Sequence, residues 1–138
     1  MVDNSNVHSG QNSAYFCGYS GCDDRIWQTF TVPTSFKKIT ITYWWYSDTN
    51  KTANKCLDNF TSRLQTTAGV PIHNLQQSCN TNVTNAWVQE GKGGTFDVTG
   101  DLSKYKGQQV TLFFQGTNAP NQYQPTDFFI DDVVVSVQ

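Results

Sequence analysis

Four cysteines, two acidic doublets and an excess of aromatic side chains are the residues of this 138-residue chain best suited to chemistry or recognition. Cys17 and Cys22 flank the turn Gly18-Tyr19-Ser20-Gly21, and Cys56 and Cys79 bracket a strand-turn-strand segment. Four cysteines allow three pairings. The local pairing, Cys17–Cys22 with Cys56–Cys79, closes loops worth roughly 2 and roughly 3.5 kcal/mol in the chain-entropy model. A zinc site or free thiols are the competing readings. Neither cysteine spacing resembles a paired C-x₂-C arrangement, and His8 and His73 are not spaced to help. Disulfides imply an oxidising compartment, so a secreted, extracellular protein is expected.

The aromatics suggest binding. On the strongest alternating segment, residues 38–46, Ile39, Ile41, Tyr43 and Trp45 share one face and Thr40, Thr42, Trp44 and Tyr46 the other. If the first face is core, Trp44 and Tyr46 point outward, where a flat π surface can stack on the apolar side of a sugar ring. Tyr19 and Tyr123 fall in turn-like segments suited to loop-tip contacts. These four are the candidate ligand contacts. Trp27 and Trp87 alternate within strands and are expected in the core. Polar loops such as residues 118–124 can hydrogen-bond sugar hydroxyls.

Catalytic arrangements are weak by comparison. Gly18-Tyr19-Ser20-Gly21 falls short of a nucleophile elbow, because its final glycine comes one position early and no α/β pattern surrounds it. The carboxylate doublets Asp23-Asp24 and Asp131-Asp132 are neighbours, and neighbours on a strand point to opposite faces, so neither forms a glycosidase-like pair by itself. The expectation is a protein without catalytic residues of its own.

The elements that must position these residues follow from composition. Nine Phe, six Tyr and four Trp stand among many Thr, Asn, Gln, Ser and Val, and only 14% of residues are charged. Aromatic and β-branched side chains suit a pleated, half-buried surface, and the usual helix formers are scarce. Strand-like segments are expected at residues 14–17, 25–32, 38–46, 58–65, 70–75, 87–90 with 95–98, 110–116 and 128–137. The Asn-rich stretch 74–85 reads as a loop. Asp101-Leu102-Ser103 can open a single helical turn that Gly107 ends. About eight strands in one domain, residues 1–138 with 1–6 as a flexible lead, give an all-β, two-sheet antiparallel sandwich, most simply a jelly roll. A net charge of −2 argues against nucleic acid as a partner. The longest apolar runs are strand-length and interrupted by aspartates, so no membrane insertion is expected. The first thirty residues lack an apolar signal core, and the polar lead is expected to be the start of a fragment of a longer precursor. Sequons at Asn50, Asn59 and Asn82 could carry glycans in a eukaryotic source.

Three segments together resemble the galactose-binding-like jelly roll, the group that contains MAM-type domains and many carbohydrate-binding modules. They are Cys22-Asp23-Asp24-Arg25-Ile26-Trp27-Gln28-Thr29-Phe30-Thr31-Val32-Pro33, then Asp97-Val98-Thr99 leading through Leu102-Ser103-Lys104-Tyr105-Lys106-Gly107-Gln108-Gln109-Val110-Thr111-Leu112, and Phe128-Phe129-Ile130-Asp131-Asp132-Val133. The resemblance runs in order over nearly the whole chain. It implies a secreted accessory domain of the kind that trails bacterial hydrolases, including proteases. The MAM cysteine pattern is not evident, so the dimerisation role of that branch is not carried over. The resemblance also implies a structural calcium at Asp131 and Asp132, with Asp23 and Asp24 as a second acidic arm and the turn at 8–10 lending carbonyls, since calcium takes six to eight oxygens. Alternation puts Asp131 on one face with Phe129, Val133 and Val135, where its carboxylate needs a metal, an arginine such as Arg25, or several donors. The expected function is therefore a non-catalytic module that binds a glycan. The alternative is a protein-interaction or stabilising appendage that contacts a neighbouring domain of the parent chain.

Overall fold

The computed structural model describes residues 1–121 and 123–138. Two antiparallel sheets face each other. The first runs β1 (Val2–Asp3), β2 (Ser13–Cys17), β9 (Thr126–Val137), β4 (Ile39–Thr49), β7 (Phe96–Asp97); the second runs β3 (Asp23–Thr31), β8 (Gln109–Thr117), β5 (Asn59–Thr66), β6 (Pro71–Cys79). The protein is an all-β two-sheet sandwich, compatible with a jelly roll. Among the described residues, no helix is long and apolar enough to cross a membrane.

Period-two alternation fills the space between the sheets. Ile39, Ile41, Tyr43 and Trp45 of β4 point inward and meet Phe60 and Leu64 of β5 and Val110, Leu112 and Phe114 of β8. Trp45 stacks on Phe60 with ring centroids 5.8 Å apart. Fully burying one such aromatic or aliphatic side chain contributes on the order of 1.5–3 kcal/mol. The one phenol in this interior is satisfied: Tyr43 Oη donates to Gln76 Oε1 at 2.7 Å and takes a hydrogen bond from Ser62 Oγ at 2.7 Å. Both local disulfides are formed, Cys17–Cys22 and Cys56–Cys79. The first links the end of β2 to the start of β3, and so ties one sheet to the other.

Four local expectations are corrected. The strand β6 extends through Cys79, so residues 76–79 pair with β5 rather than loop out. The broken strand expected at 87–90 and 95–98 is only an isolated bridge of Val88 to Trp45 and the two-residue β7 against β4. The helical turn begins at Thr99, two residues early, where the Asp97 carboxylate accepts the Thr99 N–H at 3.0 Å, and runs from Thr99–Leu102 into a 3-10 turn at Ser103–Tyr105. The fourth is a bulge in β9. Thr42 pairs with Val134 but Trp44 with Asp131, so two residues of β9 oppose Tyr43 alone. Asp132 sits there at φ +49, a left-handed conformation that aspartate tolerates better than most residues. The bulge inverts the alternation. Asp131 shares the outer face with Phe129, while Val135 returns to the inner face opposite Ile41.

Candidate functional site

The outer faces of the two sheets differ in kind, and the difference locates the site. On the first sheet the residues outside Ile41, Tyr43 and Trp45 are Trp44 and Tyr46, as alternation requires. Both are half-buried. His8 lies flat on Trp44, with centroids 3.9 Å apart and planes 14° from parallel. Tyr46 packs between Trp87 and Phe129, at 5.8 and 5.9 Å. The polar segment between β1 and β2 forms this cover, and Asn6 Oδ1 accepts the Trp87 indole N–H at 3.0 Å. Trp87 thus belongs to the outer face of the first sheet and not to the core.

The last-strand aspartates hold that cover in place. Asp131 Oδ2 accepts the backbone N–H groups of His8 and Ser9 at 2.9 and 3.1 Å, and its Oδ1 accepts the Asp132 N–H at 2.8 Å. Asp132 meets His8 Nδ1 at 2.7 Å and accepts Ser9 Oγ–H at 2.6 Å. These bonds, Ser9 first, hold its carboxyl below the usual carboxylate range. Asp131 is therefore satisfied by several donors. Asp23 and Asp24 lie elsewhere. Asp23 pairs with Arg25 through two nitrogens, at 2.9 and 2.5 Å, and takes Gln115 Nε2–H at 2.6 Å, and these partners, Arg25 first, lower its pKa. Asp24 accepts the Cys17 N–H and the Tyr19 hydroxyl, each at 2.9 Å. Among the described residues, the one cluster of three or more potential metal-ligand atoms is Cys17, Cys22 and Asp24, whose sulfurs are already bonded to each other. This donor set does not suit calcium: the turn at 8–10 presents N–H groups to Asp131 where carbonyls would be needed. Chelation by EDTA and addition of millimolar calcium should both leave the melting temperature unchanged in a fluorimetric melt. A rise with calcium would restore the metal.

A carboxylate pair does arise from distant strands. Asp48 and Asp127 face each other in the β4–β9 register, and Tyr15 Oη donates to Asp127. Gly18, at φ +78, is needed here because a Cβ would collide with that phenol. Burial, and secondarily the negative charge of Asp48, raises the Asp127 pKa above its ordinary 3.8. A raised acid stabilises the fold fully below the unfolded pKa, and that contribution is lost as pH climbs through the folded one. Asp127→Asn should therefore gain in melting temperature relative to the wild type as pH goes from about 4 to about 7. A difference that stays flat across this range would refute the assignment.

The second sheet presents the open surface. Trp27, expected in the core, is 62% exposed. It lies on β3, an edge strand, directly opposite Phe113 of β8. Arg63 of β5 lies over the Phe113 ring at 4.8 Å and donates from Nε to Gln65 Oε1 at 2.8 Å. Thr29 and Thr111 hydrogen-bond to each other at 3.1 Å. Arg25, Trp27, Thr29, Gln65, Thr111 and Phe113 line a groove of about 430 Å³, closed at one end by the hairpin turn at 67–69. Sequence reasoning missed this site, although one signal was present: Asp23, Arg25, Thr29 and Thr31 share a face with Trp27, and a lone tryptophan on a polar face is unusual. Of the other proposed contacts, Tyr19 is half exposed beside Asp24, and Tyr123 is fully exposed in the segment after β8. The four expected aromatics do not all converge: Trp44 and Tyr46 share one half-covered face, and Tyr19 and Tyr123 stand in two connections that hydrogen-bond to each other through Gly21 and Ala119. Comparison of the chain with family models and with curated proteins gives no match.

Proposed function

We propose that this domain is a non-catalytic accessory module of a secreted protein and that it binds carbohydrate on the outer face of its second sheet. The observation that carries the reading is Trp27, a large indole left in solvent on a polar sheet face. Soluble proteins seldom expose a tryptophan to this extent without a use for it. Its surroundings suit a sugar: a π surface for the ring, with Arg25, Gln65, Thr29 and Thr111 offering donors and acceptors to hydroxyls. The two disulfides support an extracellular setting. The resemblance to the galactose-binding-like jelly roll agrees with the reading at the level of fold. A glycan array probed with the intact domain and with Trp27→Ala tests it. Hits that vanish in the variant support the proposal, and an array without hits removes it.

A specific observation favours a second reading, an appendage that packs on a neighbouring domain. Ile26, Val133, Val134 and Val137 are exposed, and Ile26, Phe30, Ile130 and Val133 are among the walls of an apolar groove on the side where β3 and β9 face each other. Unchanged folding and secretion of a parent chain lacking this domain would remove that reading.

A further inference from the structure

Under the loops at one end of the sandwich, an amine, a carboxylate and a primary amide are buried together. Lys51, just after β4, places Nζ 2.8 Å from Asp58 Oδ2, and the two side chains are 4% and 0% exposed. Asp58 Oδ1 accepts the Ala119 N–H at 3.0 Å, and Oδ2 accepts the Thr126 hydroxyl at 2.7 Å. Asn118, adjacent to Ala119 and 4% exposed, donates from Nδ2 to the carbonyls of Tyr19 and Thr126, at 3.2 and 3.0 Å. Thr126 thus holds Asp58 with its side chain and Asn118 with its backbone. Two buried atoms are left over among the described residues: Asn118 Oδ1 has no donor, and Lys51 Nζ, although close to Asp58, lies outside hydrogen-bonding geometry. An orphaned buried amide oxygen and a misaligned buried amine are each costly, and few native structures carry both in one place.

We propose that Lys51 and Asn118 join in an intramolecular isopeptide bond, with Asp58 as the proton carrier. The Lys51 ammonium gives a proton to the Asp58 carboxylate, and the freed amine attacks Asn118 Cγ. Asp58 then passes its proton to Nδ2 and takes a second one from the attacking nitrogen. The Cγ–Nδ2 bond breaks, ammonia leaves, the new Nζ–Cγ amide remains, and Asp58 ends protonated. No oxidant or cofactor enters. Burial keeps water from the intermediate. The bond would tie the end of β4 in one sheet to the end of β8 in the other, beside the turn that the Cys17–Cys22 disulfide closes.

Intact mass of the denatured, disulfide-bonded protein tests this. The expected mass is lower by one ammonia than the disulfide-bonded sequence requires, and a proteolytic digest should contain a branched peptide joining Lys51 to Asn118. Lys51→Arg and Asp58→Ala should show the full mass of their sequences whether or not they fold. A wild-type mass equal to that of the unmodified chain overturns the proposal. So does loss of ammonia without a branched peptide, which marks an imide at an asparagine, and so does loss of water with a branch at Asp58.

Discussion

Asp58→Ala should lower the stability of the domain by at least about 3–5 kcal/mol: that is the cost of removing one partner from the buried pair that Lys51 and Asp58 form before cross-linking, and the bond from Lys51 to Asn118 is lost with it. In a chain of this size that corresponds to a fall in melting temperature on the order of 10 °C or more. The magnitude follows from what the substitution strands. Lys51 Nζ would be left without its carboxylate in a site closed to solvent, and the Ala119 N–H and the Thr126 hydroxyl would lose their acceptor. Asp58 also links three separate stretches, the connection after β4, the start of β5 and the segment between β8 and β9, so its loss frees that whole end of the sandwich. Replacing both charges, Lys51→Met with Asp58→Ala, should recover part of the loss, because no charge is then buried alone. Thermal melts of the single and double variants decide this. A single variant within about 1 kcal/mol of wild type would show that the pair is open to water.

Trp27→Ala should weaken glycan binding by about 30- to 100-fold while leaving the fold intact. Covering a half-exposed indole with a sugar ring, together with the stacking geometry, is worth about 2–3 kcal/mol, and each 1.4 kcal/mol is about a factor of ten. Truncating an exposed side chain that fills no core space changes stability by only about 0.5 kcal/mol. Trp44→Ala should do the reverse. It removes the surface on which His8 stacks and loosens the cover held by Asp131 and Asp132, so it lowers the melting temperature and leaves glycan affinity unchanged. Titration calorimetry with an array hit, paired with melts of both variants, separates the two tryptophans. Equal loss of affinity in both would move the site to the first sheet.

The residues most open to misreading in the sequence are the tryptophans. Alternation correctly separates Trp44 from Trp45 and Trp27 from Ile26, yet it names two faces without saying which is covered. Trp44 is half-covered by a loop that arrives from thirty-six positions upstream, through His8. Trp27 is exposed because β3 is an edge strand whose outer face nothing crosses. The aspartates teach the same lesson. The doublet at 131–132 marks a structural need, but the bulge at Asp132 reassigns the faces, and the donors that meet the need are N–H groups of the N-terminal turn. The cluster of Lys51, Asp58 and Asn118 was illegible, since two of the three lie in polar connections that read as solvated.

Local patterning by itself determined most of the strands and the all-β sandwich and favoured the pairing of neighbouring cysteines, because each depends on side-chain period or on chain proximity. Only the tertiary structure decided which sheet face stays open, which carboxylates meet, and which polar groups are sealed from water. Those outcomes depend on segments distant in sequence coming to lie against one another, and a residue's burial is a property of what covers it.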